Sequence, residues 1–189
     1  MKRIICPALM IMVLLLSGCT KIAALEKSFK DERTKWSEAQ SLSFTADVVT
    51  EFSDSTFECS LKCTRDGEGI LLEVIKPENI SGIKARLDEG KAQIEYEGII
   101  LAVEDSSIGE TSPLSAVAMI MEALIKSPCT QIWTENDQGR GLLVTELYIS
   151  EEEYARLWFL QENFTLIHAE LVSEGCSVVK CKISSFTKE

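Results

Sequence analysis

The chain has 189 residues, a length that suits one domain with a sizeable core. Hydrophobic residues make up 46% of it, which excludes a disordered acidic chain. The 19 Lys and Arg residues against 30 Asp and Glu residues give a net charge of −11, and because the sequence contains no basic cluster, nucleic acid is excluded as a partner.

The first 20 residues have the pattern of a secretory signal. Lys2 and Arg3 precede an apolar run over residues 4–16, which is shorter than the about 20 residues needed to span a bilayer. The run ends in Leu-Ser-Gly-Cys at residues 16–19, which resembles the bacterial lipoprotein lipobox at all four positions. In lipobox proteins the cysteine receives a diacylglycerol and the preceding peptide is removed, so the resemblance implies lipidation of Cys19. An ordinary signal peptide that ends in cysteine is the alternative.

These signals divide the chain into a signal peptide (1–18), a lipidated N-terminus with a leading helix (19–40) and a β-rich domain (41–189). Removal of residues 1–18 takes away two basic residues and no acidic one, which changes the net charge from −11 to −13. An acidic domain is not attracted to an anionic lipid surface. We therefore expect the lipid to hold the domain at the extracytoplasmic face of a membrane.

The leading helix is predicted over residues 20–40. Its apolar residues Ile22, Leu25, Phe29 and Trp36 recur at roughly helical spacing. We expect this apolar side to pack on the core of the domain, and a helix that binds a partner is the alternative.

After residue 40 the apolar period changes to two, which is typical of antiparallel strands with one buried face. Turn signals such as Asp66-Gly67, Glu89-Gly90 and Glu97-Gly98 separate the strands. The predicted strands cover residues 42–48, 57–63, 70–76, 83–87, 91–96, 99–103, 131–134, 142–149, 154–160, 164–172 and 176–186.

One helix interrupts the strands. Ser112 is a suitable N-cap, Pro113 suits the first helical position, and Ser127-Pro128 ends the helix. No charged residue occurs between Pro113 and Met121, which predicts deep burial. The sequence therefore predicts an α+β fold, mostly antiparallel β, in which about ten strands form a curved half-barrel and this helix crosses the concave face.

The same pattern resembles the LolA/LolB-like lipoprotein fold. The resemblance covers residues 40–186 and is carried by EVIKPENISGI at 73–83, IEYEGIIL at 94–101, the helix that starts at Ser112 and the final strands. The spore germination lipoprotein GerS subfamily is similar as well. That subfamily is lipid-anchored and binds a cortex-modifying amidase, which implies a role in sporulation and germination.

In LolA the apolar concave face accepts the acyl chains of a lipoprotein. The resemblance implies a concave lining here of Phe44, Phe57, Leu61, Ile83, Leu87, Ile94 and Tyr96 from the sheet and Val117, Met121 and Leu124 from the helix. The alternative is a filled core without a cavity. LolA lines its cavity with an arginine, and no position of this chain matches that residue.

Five cysteines follow Cys19. Cys59 and Cys63 lie four residues apart on one strand, about 13 Å between their Cα atoms, which is too far for a disulfide. Cys176 and Cys181 are also too distant, and a bridge between the two pairs requires neighbouring strands. We interpret most of these thiols, Cys129 included, as buried apolar residues; a zinc site and a cross-link to a partner are the alternatives.

The sequence indicates no enzyme, metal or cofactor. The single histidine, His168, has Glu170 on the same strand face, and the nucleophile turn of a hydrolase triad is missing from the sequence. Two functions remain. The first is a non-catalytic binding module for a protein partner in the cell envelope or spore. The second is a carrier or sensor of lipid or acylated protein that uses the concave face.

Overall fold

The computed structural model describes residues 5–52, 55–88, 91–104 and 112–189. The predicted basic segment at residues 1–3 and the turn at Glu89-Gly90 lie outside these ranges, as does the side chain of Cys19. In the described part of the chain, no helix combines the length and the apolar character that crossing a membrane requires.

Two helices and eleven strands make up the described structure, which confirms the α+β class. In chain order the elements are α1 (Ile5–Glu38), β1 (Leu42–Phe52), β2 (Ser55–Asp66), β3 (Gly69–Lys76), a short 3-10 helix (Glu78–Ile80), β4 (Lys84–Asp88), β5 (Lys91–Tyr96), β6 (Ile99–Glu104), α2 (Pro113–Lys126), β7 (Cys129–Asp137), β8 (Arg140–Tyr148), β9 (Glu153–Leu160), β10 (Leu166–Ser173) and β11 (Cys176–Lys188).

The strands form one antiparallel sheet that is not closed, in the order β6-β5-β4-β3-β2-β1-β11-β10-β9-β8-β7. Strands β1 to β6 and β7 to β11 are each a meander, and the pairing of β1 with β11 joins the two meanders. The chain leaves the sheet at one edge, β6, and returns at the other edge, β7. Because α2 lies in this connection, it has to cross one face of the sheet, and that face is the inner, concave one.

The core lies between α2 and the inner face. Alternate residues of β1 are buried, from Leu42 to Thr50, and the same alternation continues in β3 and β9. Helix α1 closes one side of this core. Phe29 and Trp36 are both 2% exposed and contact Phe159, with ring centroids 5.0 and 5.6 Å away. The expectation that the leading helix packs on the core is therefore confirmed.

Candidate functional site

Helix α2 begins and ends where the sequence predicts and is buried along most of its length. The Ser112 hydroxyl accepts a hydrogen bond from the backbone N–H of Ser115 at 3.1 Å, and Pro113 is the first helical residue. The helix packs against β1, β2 and β3 on one side and β8 to β11 on the other. An uncharged helix surface thus occupies the middle of the concave face.

The predicted concave lining separates into two groups. Five of its residues are 0–1% exposed and belong to one packed cluster: Phe44, Leu61, Val117, Met121 and Leu124. Leu87 and Ile94 are half-buried against that cluster, and Ile83 is half-buried as well. Phe57 and Tyr96 are 41% and 39% exposed. Phe57 lies beyond Ser60, where the pairing of β2 with β3 ends, and β5, which carries Tyr96, is not among the strands against which α2 packs. Under α2 the concave face is core.

The sheet edge at β6 remains apolar and exposed. Ile99 and Leu101 pair with Tyr96 and Ile94, which places them on the inner face, whereas Ile100 points to the outer face. These three side chains are 65%, 58% and 63% exposed. The sequence predicts this strand, but its position as a sheet edge depends on the long-range pairing of β1 with β11.

All five described cysteines are free. Strand β1 lies between β2 and β11, and Val48 pairs with Cys59 on one side and Cys181 on the other, so those two thiols lie two strands apart, about 10 Å. Burial raises the pKa of Cys59 to about 11 and that of Cys181 to about 12. Cys129 and Cys176 are exposed, so the expectation that most thiols are buried holds for three of the five. Within the described ranges no three His, Cys, Asp or Glu side chains are arranged to hold a metal ion.

Arg33 joins α1 to the end of α2. Its guanidinium donates hydrogen bonds to the carbonyl oxygens of Leu124 (2.9 Å), Ala123 (3.2 Å) and Ser127 (2.7 Å). Burial lowers the pKa of Arg33, and the nearby Cys129 opposes that shift. A positive charge at a helix C-terminus is favourable, because the last carbonyl groups have no partner within the helix. The sequence pattern gave no indication of this contact.

The outer face of β7 to β10 carries a second cluster that the sequence pattern does not predict. Glu135 accepts one hydrogen bond from the indole Nε1 of Trp133 at 2.8 Å and another from the indole Nε1 of Trp158 at 3.1 Å. Val144 of β8 pairs with both tryptophans and is fully buried. The imidazole of His168 lies 4.8 Å from the Trp158 ring. We call this group the outer cluster.

Charged pairs extend the outer cluster along the same strands. Arg156 donates to one carboxylate oxygen of Glu146 through two nitrogens, at 3.0 and 2.8 Å, and to the Tyr154 hydroxyl at 2.9 Å. Burial alone would lower the pKa of Arg156, but the hydrogen bonds to Glu146 raise it. His168 and Glu170 are 3.1 Å apart, as their shared strand face predicts. They lie on the outer face of β10 within this cluster.

A scan against protein-family models and a search of curated proteins found no match. Solved structures do match. An uncharacterised protein from Thermus thermophilus aligns with a TM-score of 0.51 at 9% identity, covering 87% of each chain. A domain from Vibrio parahaemolyticus that carries the name outer membrane lipoprotein-sorting protein aligns with a TM-score of 0.50 at 10% identity, covering 87% of this chain and 93% of that one. This chain has the LolA-like fold. The Clostridioides difficile complex of the CwlD amidase with the GerS lipoprotein also matches, with a TM-score of 0.48 at 17% identity over 87% of this chain and 95% of that one.

The LolA-like fold fixes the location of each candidate surface. Its concave face is filled by α2 in the middle and exposes apolar side chains towards β6 and at Phe57 of β2. Its outer face carries the outer cluster on the opposite half of the sheet. The period of two in residues 131–135 and 154–158 places Trp133 and Glu135 on one face of β7 and Trp158 on one face of β9. Only the register of β7, β8 and β9 brings these three side chains together.

Proposed function

We propose that this LolA-like protein is a lipid-anchored, extracytoplasmic binding module for a protein partner in the cell envelope or spore, without catalytic activity. The observation that carries the proposal is the packed middle of the concave face. Phe44, Leu61 and Met121 are 0–1% exposed there, so the chain's own side chains occupy the volume in which a carrier would hold an acyl chain.

The lipobox supports the proposed location. Cys19 lies in α1, ten residues before Phe29, the first core residue of that helix. At 1.5 Å per residue this corresponds to about 15 Å along the helix. A diacylglycerol on Cys19 would therefore hold the domain close to the membrane surface, and the contacts of Phe29, Arg33 and Trp36 would restrict its orientation.

The sequence resemblance to the GerS subfamily suggests a first partner to test. An amidase that modifies the spore cortex is the partner that this resemblance implies. The binding contact would be made by exposed sheet edges or by acidic outer-face side chains, both of which the fold leaves accessible.

One observation favours the carrier function as a second candidate. Tyr96, Ile99 and Leu101 form an exposed apolar group on the inner face, beyond the reach of α2. Such a group offers an apolar contact to part of an acyl chain, although it is open to solvent on one side.

The deciding experiment measures lipid and protein binding on the same full-length chain, purified from membranes in a non-ionic detergent. We expect co-purification of an envelope protein and no saturable binding of a fluorescent fatty acid. Leu101→Glu and Ile100→Glu form a matched pair, because the two residues are neighbours of similar exposure on opposite faces of β6. Saturable fatty acid binding that Leu101→Glu abolishes and Ile100→Glu preserves would establish the carrier function and refute the proposal.

A further inference from the structure

The polar aromatic residues of this protein are concentrated on one surface. Two of its three tryptophans, two of its three tyrosines and its single histidine lie on the outer face of β7 to β10. They are Trp133, Trp158, Tyr148, Tyr154 and His168. Tryptophan, tyrosine and arginine are the residues most enriched among those that dominate protein–protein binding energy.

The two indoles of this surface are fixed in place by Glu135. Each carboxylate oxygen accepts one indole N–H, and Val144 beneath them is completely buried. Both rings are therefore ordered before any partner binds. Rigid aromatic side chains lose little conformational entropy on binding, which makes such a preformed platform a favourable contact surface.

Charge indicates what would bind to this platform. Arg156, the cation among these aromatic residues, is paired with Glu146 and also bonded to the Tyr154 hydroxyl. The exposed glutamates at the adjoining turns, Glu151, Glu152 and Glu174, add negative charge beside the tyrosines. Towards β11 the surface ends at Lys180 and Lys182, which pair in register with Glu170 and His168. Arg140, at the turn between β7 and β8, is itself paired with Asp137 at 2.6 Å. Carboxylates therefore outnumber guanidinium groups on the platform from β7 to β10.

We infer that the outer cluster is the contact surface for the protein partner, and that the partner presents arginine side chains to it. The inference rests on the proposed function, because it names the chemistry of the partner that the binding module would recognise. A guanidinium stacks on an indole face and at the same time donates to a nearby carboxylate, and Trp133, Trp158 and Glu135 offer both groups within one contact. Lysine fits less well, since its ammonium lacks a planar surface for stacking.

The first test titrates a labelled nonaarginine peptide into the full-length chain in non-ionic detergent. We expect nonaarginine to bind more tightly than nonalysine. Glu135→Gln should weaken nonaarginine binding about fivefold, and Trp158→Leu about threefold or more, with unchanged far-UV circular dichroism. Glu58→Gln is the matched control, because Glu58 is an exposed outer-face glutamate on the other half of the sheet. Equal weakening by Glu135→Gln and Glu58→Gln, or equal binding of the two peptides, would overturn the inference.

The second test identifies the contact in cells. A photoreactive benzoylphenylalanine replaces Trp133 in one full-length variant and Glu58 in another. We expect the variant with benzoylphenylalanine in place of Trp133 to cross-link to an arginine-containing segment of a protein. The variant with benzoylphenylalanine in place of Glu58 should give no such product. Cross-links to lipid, to glycan or to an acidic segment would overturn the inference. If the partner co-purifies equally with the wild type and with Glu135→Gln, the outer cluster is refuted as the contact surface, and the proposed function stands. If no envelope protein co-purifies with the wild type, the proposed function itself fails.

Discussion

Arg33 offers a direct test of how α1 is held on the domain. Methionine is a suitable replacement, because it preserves much of the side-chain length and removes the guanidinium. Arg33→Met leaves the carbonyl groups of Leu124 and Ser127 without their donor. The carbonyl of Ala123 keeps a second donor, since the backbone N–H of Ser127 also bonds to it at 3.1 Å. The loss of two hydrogen bonds therefore determines how far the free energy of unfolding falls.

The magnitude follows from these two bonds. A hydrogen bond from a charged donor contributes about 1.5–3 kcal/mol, and a cation at a helix C-terminus adds about 0.5 kcal/mol. The groove beside Arg33 is open to water, which can replace part of the lost bonding. The two bonds and the helix-end charge sum to about 3.5–6.5 kcal/mol. Because water replaces part of this bonding, we expect Arg33→Met to lower the free energy of unfolding by about 2–3 kcal/mol, which is below that sum. For a chain of this size the melting temperature should fall by about 5–10 °C.

The assay is urea unfolding followed by far-UV circular dichroism, with Arg65→Met as the control. Arg65 makes one long hydrogen bond, 3.4 Å, to the carbonyl of Ser37 at the end of the same helix, and this hydrogen bond is exposed to solvent. We expect this variant to lose less than about 0.5 kcal/mol. Arg33→Lys should recover less than half of the loss, because an ammonium cannot reach several carbonyl groups in one plane. If Arg33→Met and Arg65→Met are equally stable, the contact does not hold α1 on α2.

Three further predictions concern the membrane anchor, the core and the thiols. Cys19→Ala should move the protein from the membrane fraction to the soluble fraction, and its retention in the membrane pellet would contradict lipid anchoring. Met121→Ala should lower the free energy of unfolding by about 2–5 kcal/mol in the same urea assay, because it empties part of a filled core; a smaller loss would contradict a filled concave face. Iodoacetamide at pH 8 should modify Cys129 in the folded chain and leave Cys63 and Cys181 unmodified, as tryptic mass spectrometry can show. Burial raises the pKa of Cys181 to about 12, so this thiol ionises at a lower pH in the unfolded chain than in the folded chain. The free energy of unfolding should therefore decrease as the pH rises above about 8.5, and the decrease should be smaller in Cys181→Ala. An equal decrease in the wild type and in Cys181→Ala would contradict this prediction.

Local signals in the sequence predicted the elements well. For α2, the cap at Ser112, the proline at 113 and the absence of charge up to Met121 gave both its bounds and its burial. The alternation of apolar residues likewise placed the strands, and Phe44 and Leu61 lie at its buried positions. These features depend on neighbours within one or two turns of chain, which a sequence pattern records directly.

Features that depend on long-range pairing could not be predicted in the same way. Phe57 has the inward parity of β2, yet it is exposed because it lies beyond the part of β2 that pairs with β3. Arg33 meets Leu124 across 91 residues of sequence, and Trp158 meets Glu135 across 23. The alternation within a strand says which side chains share a face but not which strand lies next to it or in which register. The candidate site depends on strand order and register, which the alternation does not record.

The two candidate functions can be separated because the sheet divides their surfaces between its halves. The exposed apolar group of Tyr96, Ile99 and Leu101 lies on the inner face of β5 and β6, whereas the outer cluster lies on β7 to β10, on the opposite face and at the opposite edge. The filled core under α2 lies between them. A substitution at Leu101 therefore changes lipid contact without touching the indole platform, and Glu135→Gln does the reverse. The effects of substitutions at distant sites are usually additive. If the two surfaces act separately, a double variant should lose lipid binding and partner binding by the same factors as the two single variants. A departure from additivity would indicate that one ligand contacts both halves of the sheet.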